Sequence, residues 1–218
     1  MKYEDIKKNL EVCALIKKGN ENLGILGFTD HSHAHCAVVA ERAALILKKL
    51  GYSKKQIELV RIAGFMHDIG NAINRHKHAE YGAILANEIL KDTDLSIEDR
   101  ITIASAIGHH DESSGGATDV ISAALIIADK TDVRRNRVRQ KPKASFDIHD
   151  RVNYSVKKSL LKINEDKTIV KLKLSIDTKY GSVMDYFEIF MQRMILCRKA
   201  AEKLGLQFRL IINEQQVI

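Results

Sequence analysis

The chain has one proline, no tryptophan, three cysteines and no long apolar run. The cysteines lie far apart and form no CxxC pair, which argues against a zinc knuckle or a disulfide framework and favours a reducing compartment. No stretch of about 20 apolar residues occurs, and the N-terminus lacks the apolar stretch of a signal peptide. We therefore expect a soluble, cytoplasmic protein that does not enter a membrane.

Basic residues outnumber acidic ones by 35 to 28, which gives a formal charge of +7. Most of them are spread singly along the predicted helix and strand faces, as on an ordinary solvated surface. Charge alone therefore gives little support for nucleic-acid binding. The exception is the basic cluster RRNRVR at residues 134–139.

The periodicity of the apolar residues changes near Pro142. Before it the period is helical, and after it an alternation of period two appears. We predict a mainly α protein with a helical bundle over residues 1–140 and a polar connection over 141–152. A small α+β subdomain of ββαβ order is predicted over residues 153–218.

Capping and stop signals place helices in the first part. An opening helix is predicted over Tyr3–Lys18, followed by a glycine-rich loop that ends at Gly27. Ser53 and Gln56 form a capping box for a helix that runs to about residue 67.

The second part has its clearest strand at KLKLSID, residues 171–177, whose alternation predicts one buried and one solvated face. Its hairpin partner is predicted at Ser159–Ile163, and a helix over Met184–Leu204 and a strand over Gln207–Ile212 complete the unit. The helix is apolar on more than one face. This suits burial in the core, the commoner case, or a homodimer interface.

Histidine is concentrated in the first half of the chain, where eight of the nine copies precede residue 111. A lone histidine is more often a surface or hydrogen-bonded core residue than a metal ligand. Several of these histidines, however, lie beside predicted helix ends, from which different elements can converge on one cation. The clustering favours a shared site.

Asp129 follows the apolar stretch AALIIA at residues 123–128. An unpaired carboxylate in such surroundings costs several kcal/mol, so a cation or a strong donor network must accompany it. The alternative to a bound cation is an ion pair with Lys130 or with a nearby arginine.

Four strings, in order along successive helices, resemble the HD-domain metal-dependent phosphohydrolase superfamily. HCAVVA at 35–40 resembles the first-histidine helix of the family, and HDIG at 67–70 matches its naming motif. HAEYGAIL at 78–85 resembles the extra histidine of members with two metals, and the AD pair that ends at Asp129 matches the closing aspartate. The likeness covers about residues 25–140 and implies a helical HD-domain bundle.

The resemblance implies a site for one or two divalent transition-metal ions. The ligands implied for the first ion are His35, His67, Asp68 and Asp129. Asp68, the implied catalytic residue, would bridge to a second ion, and the other ligands of that ion would be His78, His109 and His110. In some relatives the sequence register matches His110, the second histidine of the pair, instead of His109. The histidines without a matching family position, which we expect to be solvated, are His31, His33 and His76.

Imidazole and carboxylate ligands suit zinc, manganese, iron or nickel. A water shared between two such ions loses a proton near neutral pH, so the resemblance implies a metal-bound hydroxide as the nucleophile. The ions also take up charge on phosphoryl oxygens. The implied reaction is hydrolysis of a phosphoester or phosphoanhydride of a nucleotide or another small phosphorylated substrate.

Several basic residues near the implied ligands are candidates for holding an anionic substrate. They are Arg75, Lys77, Lys130, Arg134 and Arg137. We expect one helix to run from Asp129 to Arg137, and its rise per residue would put Arg137 roughly 12 Å from Asp129. The alternative for the arginines of residues 134–139 is a solvated helix end or pairing with the acids Asp119, Asp132 and Glu112.

Two other classes of function stay open at this point. Some HD-fold proteins with a similar ligand set hold two irons and perform oxygen-dependent C–H or C–P cleavage. A regulatory or nucleic-acid-binding HD module is the other alternative. Asn71 stands where the cyclic-dinucleotide phosphodiesterases of the superfamily carry lysine, and no GYP string follows His110, which argues against that subfamily.

Overall fold

The computed structural model describes residues 1–140 and 142–218. Its first part is helical, and its second part is a four-stranded sheet with one long helix, so the predicted mainly α class with a C-terminal α+β subdomain is confirmed. The helices that precede the sheet are α1 (Tyr3–Ile6), α2 (Leu10–Ile25), α3 (His33–Leu50), α4 (Lys54–Met66), α5 (His78–Ile89), α6 (Ile97–Gly108), α7 (Val120–Lys130) and α8 (Ile148–Ser155).

Side-chain caps set where several of these helices begin. Ser53 accepts a hydrogen bond from the backbone N–H of Gln56, and the Gln56 side chain accepts one from the Ser53 N–H. The predicted capping box of α4 is therefore confirmed. Asp119 caps α7 in the same reciprocal way with Ser122.

The opening helix differs from the prediction at both ends. Asn9 caps α2 by accepting two backbone N–H groups, and this cap divides the predicted Tyr3–Lys18 helix into α1 and α2. The predicted glycine-rich loop is wrong, because α2 continues to Ile25. A β-carbon on Gly19 would lie only 3.1 Å from the backbone nitrogen of Ala72, so this glycine permits a close helix contact instead of a turn.

The C-terminal unit is built around a four-stranded sheet of order β1-β2-β3-β4. Its elements are β1 (Val156–Ile163), β2 (Ile169–Ile176), α9 (Val183–Lys203), β3 (Gln207–Ile212) and β4 (Gln215–Gln216). β1 and β2 pair antiparallel, and α9 carries the chain back so that β3 pairs parallel to β2. The short β4 extends the predicted ββαβ order by one antiparallel strand.

α7 lies at the centre of the core, since residues 121–128 are all buried. It packs against α3, α4 and α6 on one side and against α9 on the other. From α9 the core receives Tyr186, Phe190 and Met194, as the core interpretation of this helix predicts. The homodimer stays a prediction.

The segment predicted as a connection contains a short 3-10 turn at Lys143–Ser145 and the beginning of α8. Asp147 caps α8 and accepts a hydrogen bond from the Asp150 N–H, and α8 leads directly into β1. Among the residues that the structure describes, no helix combines the length and the apolar character needed to cross a bilayer.

Candidate metal centre

Helices α3 to α7 bring six side chains of metal-ligand chemistry together at their ends. These are His35 in the first turn of α3, His67 and Asp68 directly after α4, His78 at the start of α5, His110 just after α6, and Asp129 in the last turn of α7. All are buried except Asp129, whose side chain is 12% exposed. Ligands far apart in sequence therefore share one pocket.

The ligand atoms are spaced as a small cation requires. His67 Nε2 lies 3.2 Å from Asp68 Oδ2 and 3.6 Å from Asp129 Oδ1, and His35 Nε2 lies 3.3 Å from Asp129 Oδ1. Each of two groups has all its ligand atoms within 4.8 Å of one another: His35, His67 and Asp129, and His67, Asp68 and His110. Metal–ligand bonds of about 2.0–2.2 Å fit inside such separations.

Backbone and carboxylate acceptors fix the orientation of four imidazoles. The Nδ1 atoms of His67, His78 and His110 donate to the carbonyls of Gly64, Arg75 and Ile107 at 2.8, 3.1 and 2.6 Å. His35 Nδ1 donates to Asp132 Oδ2 at 2.9 Å. With Nδ1 carrying the proton, each neutral ring presents the lone pair of Nε2 to the centre, which is the arrangement a metal ligand needs.

Three of the converging atoms make no well-aligned hydrogen bond with the described residues. They are His35 Nε2, His67 Nε2 and Asp68 Oδ2. Buried polar atoms without partners are costly, and a cation between them would satisfy all three at once. The donor set and these orphaned atoms therefore fit a metal ion.

The electrostatics of the pocket also favour positive charge. Burial opposes charge on His67, but the Asp68 and Asp129 carboxylates prevail and raise the pKa of His67. Burial likewise opposes ionisation of the two acids, yet neighbouring histidines hold the pKa of Asp68, and Lys130 with His35 and His67 holds the pKa of Asp129, well below the usual value. Both carboxylates are thus ionised at neutral pH and available to a cation.

His78 and His110 mark the other side of the pocket. Their Nε2 atoms lie 3.2 Å apart, and His78 Nε2 lies 3.7 Å from Asp68 Oδ1. Asp68 therefore turns one oxygen towards His67 and the other towards His78. Two nitrogen lone pairs this close repel each other unless a proton or a cation lies between them.

A family model described as "HD domain" matches residues 33–152, more than half of the chain. The chain belongs to the HD-domain family. It is also similar to an uncharacterized protein of Methanocaldococcus jannaschii, with 27% identity over 192 residues that cover 78% of this chain and 74% of that protein. Membership of this family implies a metal-dependent hydrolase, and the histidines and aspartates described above are groups that could hold the metal.

Asp132 positions a ligand of this HD domain, although no local sequence pattern singles it out. It is buried, and it accepts from His35 Nδ1 while pairing with Arg134 Nε at 2.7 Å and with Arg42 Nη2 at 3.5 Å. Burial opposes its charge, but His35 and the arginines hold the pKa of this carboxyl below its usual value. Asp132 thus keeps His35 in the tautomer that presents Nε2.

Asp132→Asn is expected to weaken metal binding by about 10- to 100-fold, because a neutral amide no longer fixes the proton on His35 Nδ1. The measurement is competition with a chromogenic chelator. Asp177→Asn is the matched control, since Asp177 pairs with Lys157 at 3.0 Å outside the centre. Equal metal affinity in the two variants would contradict the positioning role.

Lys130 pairs with the outer oxygen of Asp129. Its Nζ lies 2.9 Å from Asp129 Oδ2 and 2.6 Å from Glu112 Oε2, and its side chain is buried. The ion pair with Lys130, weighed as the alternative for Asp129, therefore occurs, and it uses Oδ2 while Oδ1 faces the histidines. Arg193 of α9 extends the network by donating from Nε to Glu112 Oε1 at 2.8 Å.

A cavity of about 260 Å³ opens beside the centre of this HD domain. Its lining includes Phe28, His31, Arg75, Arg137, Phe190 and Arg193. Arg75 Nη1 lies 3.4 Å from His78 Nε2, and the His31 ring lies 5.4 Å from the His35 ring, so the cavity adjoins both sides of the ligand cluster. The expectation that His31 is solvated is wrong, because its ring packs against a ligand.

The other predicted site residues lie as follows. His109 is outside both ligand groups, and its Nδ1 donates to the Ser105 carbonyl at 2.9 Å. Lys77 is exposed at a left-handed position, with φ of 60°, just before α5. Arg134 binds Asp132 with two nitrogens.

The prediction of one helix from Asp129 to Arg137 is wrong, because α7 ends at Lys130. The Thr131 hydroxyl bonds back to the Ile127 carbonyl, and the chain then turns so that Asp132 reaches His35. Arg137 is consequently buried, with Nη1 donating to the Asp132 carbonyl at 2.9 Å. The alternative in which these arginines pair with Asp132 is confirmed for Arg134 and Arg137.

Proposed function

We propose that this HD-domain protein is a metal-dependent phosphohydrolase that acts on a nucleotide or another small phosphorylated substrate. One observation carries the proposal: four Nε2 lone pairs and two carboxylates converge beside a cavity lined by arginines. The ligand cluster suits a cation, and the cavity suits an anion.

The ligands divide into two sets around Asp68. His35, His67, Asp68 and Asp129 would hold one ion, and Asp68, His78 and His110 would hold a second. A bound divalent ion supplies an activated water and neutralises charge on phosphoryl oxygens. Asp68 contributes by offering one oxygen to each set, so that the reacting groups keep a fixed separation.

Arg75 is the basic residue best placed to orient a substrate. Its guanidinium lies over the Phe28 ring, 5.4 Å from the centroid, and Nη1 donates to Asn71 Oδ1 at 3.3 Å. It forms no ion pair with an acid among the described residues, whereas Arg134 and Arg137 both pair with Asp132. Its charge is therefore available to a phosphate next to the ligands.

The size of the cavity supports a small substrate over a polymer. At about 260 Å³ it lies just below the usual range of small-molecule sites, which begins at about 300 Å³. All three cysteines are free, which agrees with a reducing compartment, and we propose the cytoplasm as the location.

The test is metal analysis of the purified protein followed by assays with a panel of nucleotides, sugar phosphates and aryl phosphates. We expect release of inorganic phosphate that stops on chelation and returns when manganese, iron, zinc or nickel is added. The rate should be the same in air and under argon. Turnover that requires iron and oxygen would contradict hydrolysis and assign oxidative cleavage instead.

A further inference from the structure

The C-terminal unit forms one wall of the cavity beside the metal centre. Phe190 and Arg193 of α9 line it, together with Arg75 from the helical part. Both α9 residues lie beyond residue 152, where the family match ends. They are thus a feature of this chain's own C-terminal unit and not of the matched HD domain.

Arg193 has hydrogen-bond donors that no described residue uses. Its Nε donates to Glu112 Oε1, and its guanidinium lies over the Phe190 ring, 4.8 Å from the centroid. The two Nη groups make no hydrogen bond with the described residues, and the side chain is 25% exposed. A guanidinium held at Nε and stacked on a ring keeps its outer fork rigid for an oxyanion.

Glu112 has a second cationic partner besides Arg193. Glu112 Oε2 also binds Lys130 Nζ, which pairs with Asp129 as well, so Glu112 lies between two cations and contacts Arg193 only at Nε. Arg75 adds a further positive charge to the same cavity. The lining carries three guanidiniums, from Arg75, Arg137 and Arg193, against the one carboxylate of Asp147.

We propose that Arg193 and Arg75 together bind a phosphate group of the substrate other than the one at the metal ligands. This inference rests on the proposed function and narrows it to substrates with two phosphate groups, such as nucleoside diphosphates or bisphosphates. A substrate with a single phosphate group would need only the metal ligands to hold it. The arginines of the cavity add positive charge, which a second phosphate group can use. The C-terminal unit then belongs to the active site.

The experiment measures pyrophosphate binding to the metal-depleted protein by calorimetry, so that the ligand cluster cannot hold the phosphate. Arg193→Gln and Arg75→Gln are each expected to weaken binding about 10- to 100-fold, the effect of losing charged hydrogen bonds. The matched control is Arg198→Gln, an exposed arginine on the same helix, which should change the dissociation constant less than about twofold.

Arg193→Lys keeps the positive charge but lacks the paired Nη donors of the guanidinium. This variant tests whether Arg193 binds the phosphate if Arg193→Gln does not fold. We expect it to bind pyrophosphate more weakly than wild type at an unchanged thermal midpoint. Wild-type protein that binds no pyrophosphate, an Arg193 variant that binds as wild type does, or malonate binding as tightly as pyrophosphate would each overturn the phosphate subsite. Failure of the hydrolysis panel with intact, Arg193-dependent pyrophosphate binding would instead remove only the proposed reaction.

Discussion

Asp68→Ala is expected to abolish metal binding and to reduce turnover by about a thousandfold or more. The proposed function places its carboxylate in both ligand sets, and Oδ2 faces His67 and His35 while Oδ1 faces His78. Alanine removes one negative charge and both carboxylate oxygens, which leaves Asp129 as the remaining acid of the proposed ligand set. Elemental analysis and the phosphate-release assay measure the two losses on the same sample.

His76→Ala is the control for this variant, since His76 lies in the same histidine-rich segment but is exposed. It should retain both metal and turnover. The fold of Asp68→Ala should also survive, because the apolar core surrounds α7 and does not depend on the ligand cluster. Unchanged turnover in Asp68→Ala would refute the metal-dependent mechanism.

Gly70→Ala is expected to lower the free energy of unfolding by at least about 3 kcal/mol. A β-carbon at Gly70 would lie within 2.9 Å of both the His78 carbonyl carbon and the Gly82 nitrogen, and closer still to the His78 carbonyl oxygen. These are backbone atoms of α5, so they yield only if the helix moves. Because His78 opens that helix, the displacement also removes a ligand from its place.

Chemical denaturation gives the stability of this variant, and chelator competition gives its metal affinity. Gly116→Ala is the matched control, because a β-carbon there would meet nothing within 4 Å. It should unfold within about 0.5 kcal/mol of wild type. A Gly70→Ala protein as stable as Gly116→Ala would mean that α5 packs more loosely against the HDIG turn than the structure indicates.

The convergence of six of the seven predicted ligand residues follows from the helical signals beside them. Ser53 and Gln56 set the start of α4, and the apolar run that follows brings His67 to its end. His35 likewise lies in a helix with periodic apolar residues, and Asp129 follows the unbroken apolar run of α7. Once such helices pack side by side, their ends bring the histidines and aspartates together.

The residues that sequence reasoning misses act through contacts between distant parts of the chain. Asp132 meets His35 from 97 residues away, and Arg193 meets Glu112 from 81 residues away. No local period encodes either pair. The end of α7 is missed for a related reason. The hydrogen bond between Asp132 and His35 is a tertiary contact, and it outweighs the helical preference of the residues after Lys130.

The spread of the ligands from residue 35 to residue 129 has a consequence for how the protein matures. None of the five helices brings together enough of these side chains to hold an ion alone, so the proposed set of His35, His67, Asp68 and Asp129 is complete only after α7 has left the ribosome and packed. The side chains of the apolar core, in contrast, pack against one another and include none of the six candidate ligands. We therefore expect metal to load late, onto a chain that has already packed, and we expect a cell starved of metal to accumulate folded protein that regains activity when metal is restored.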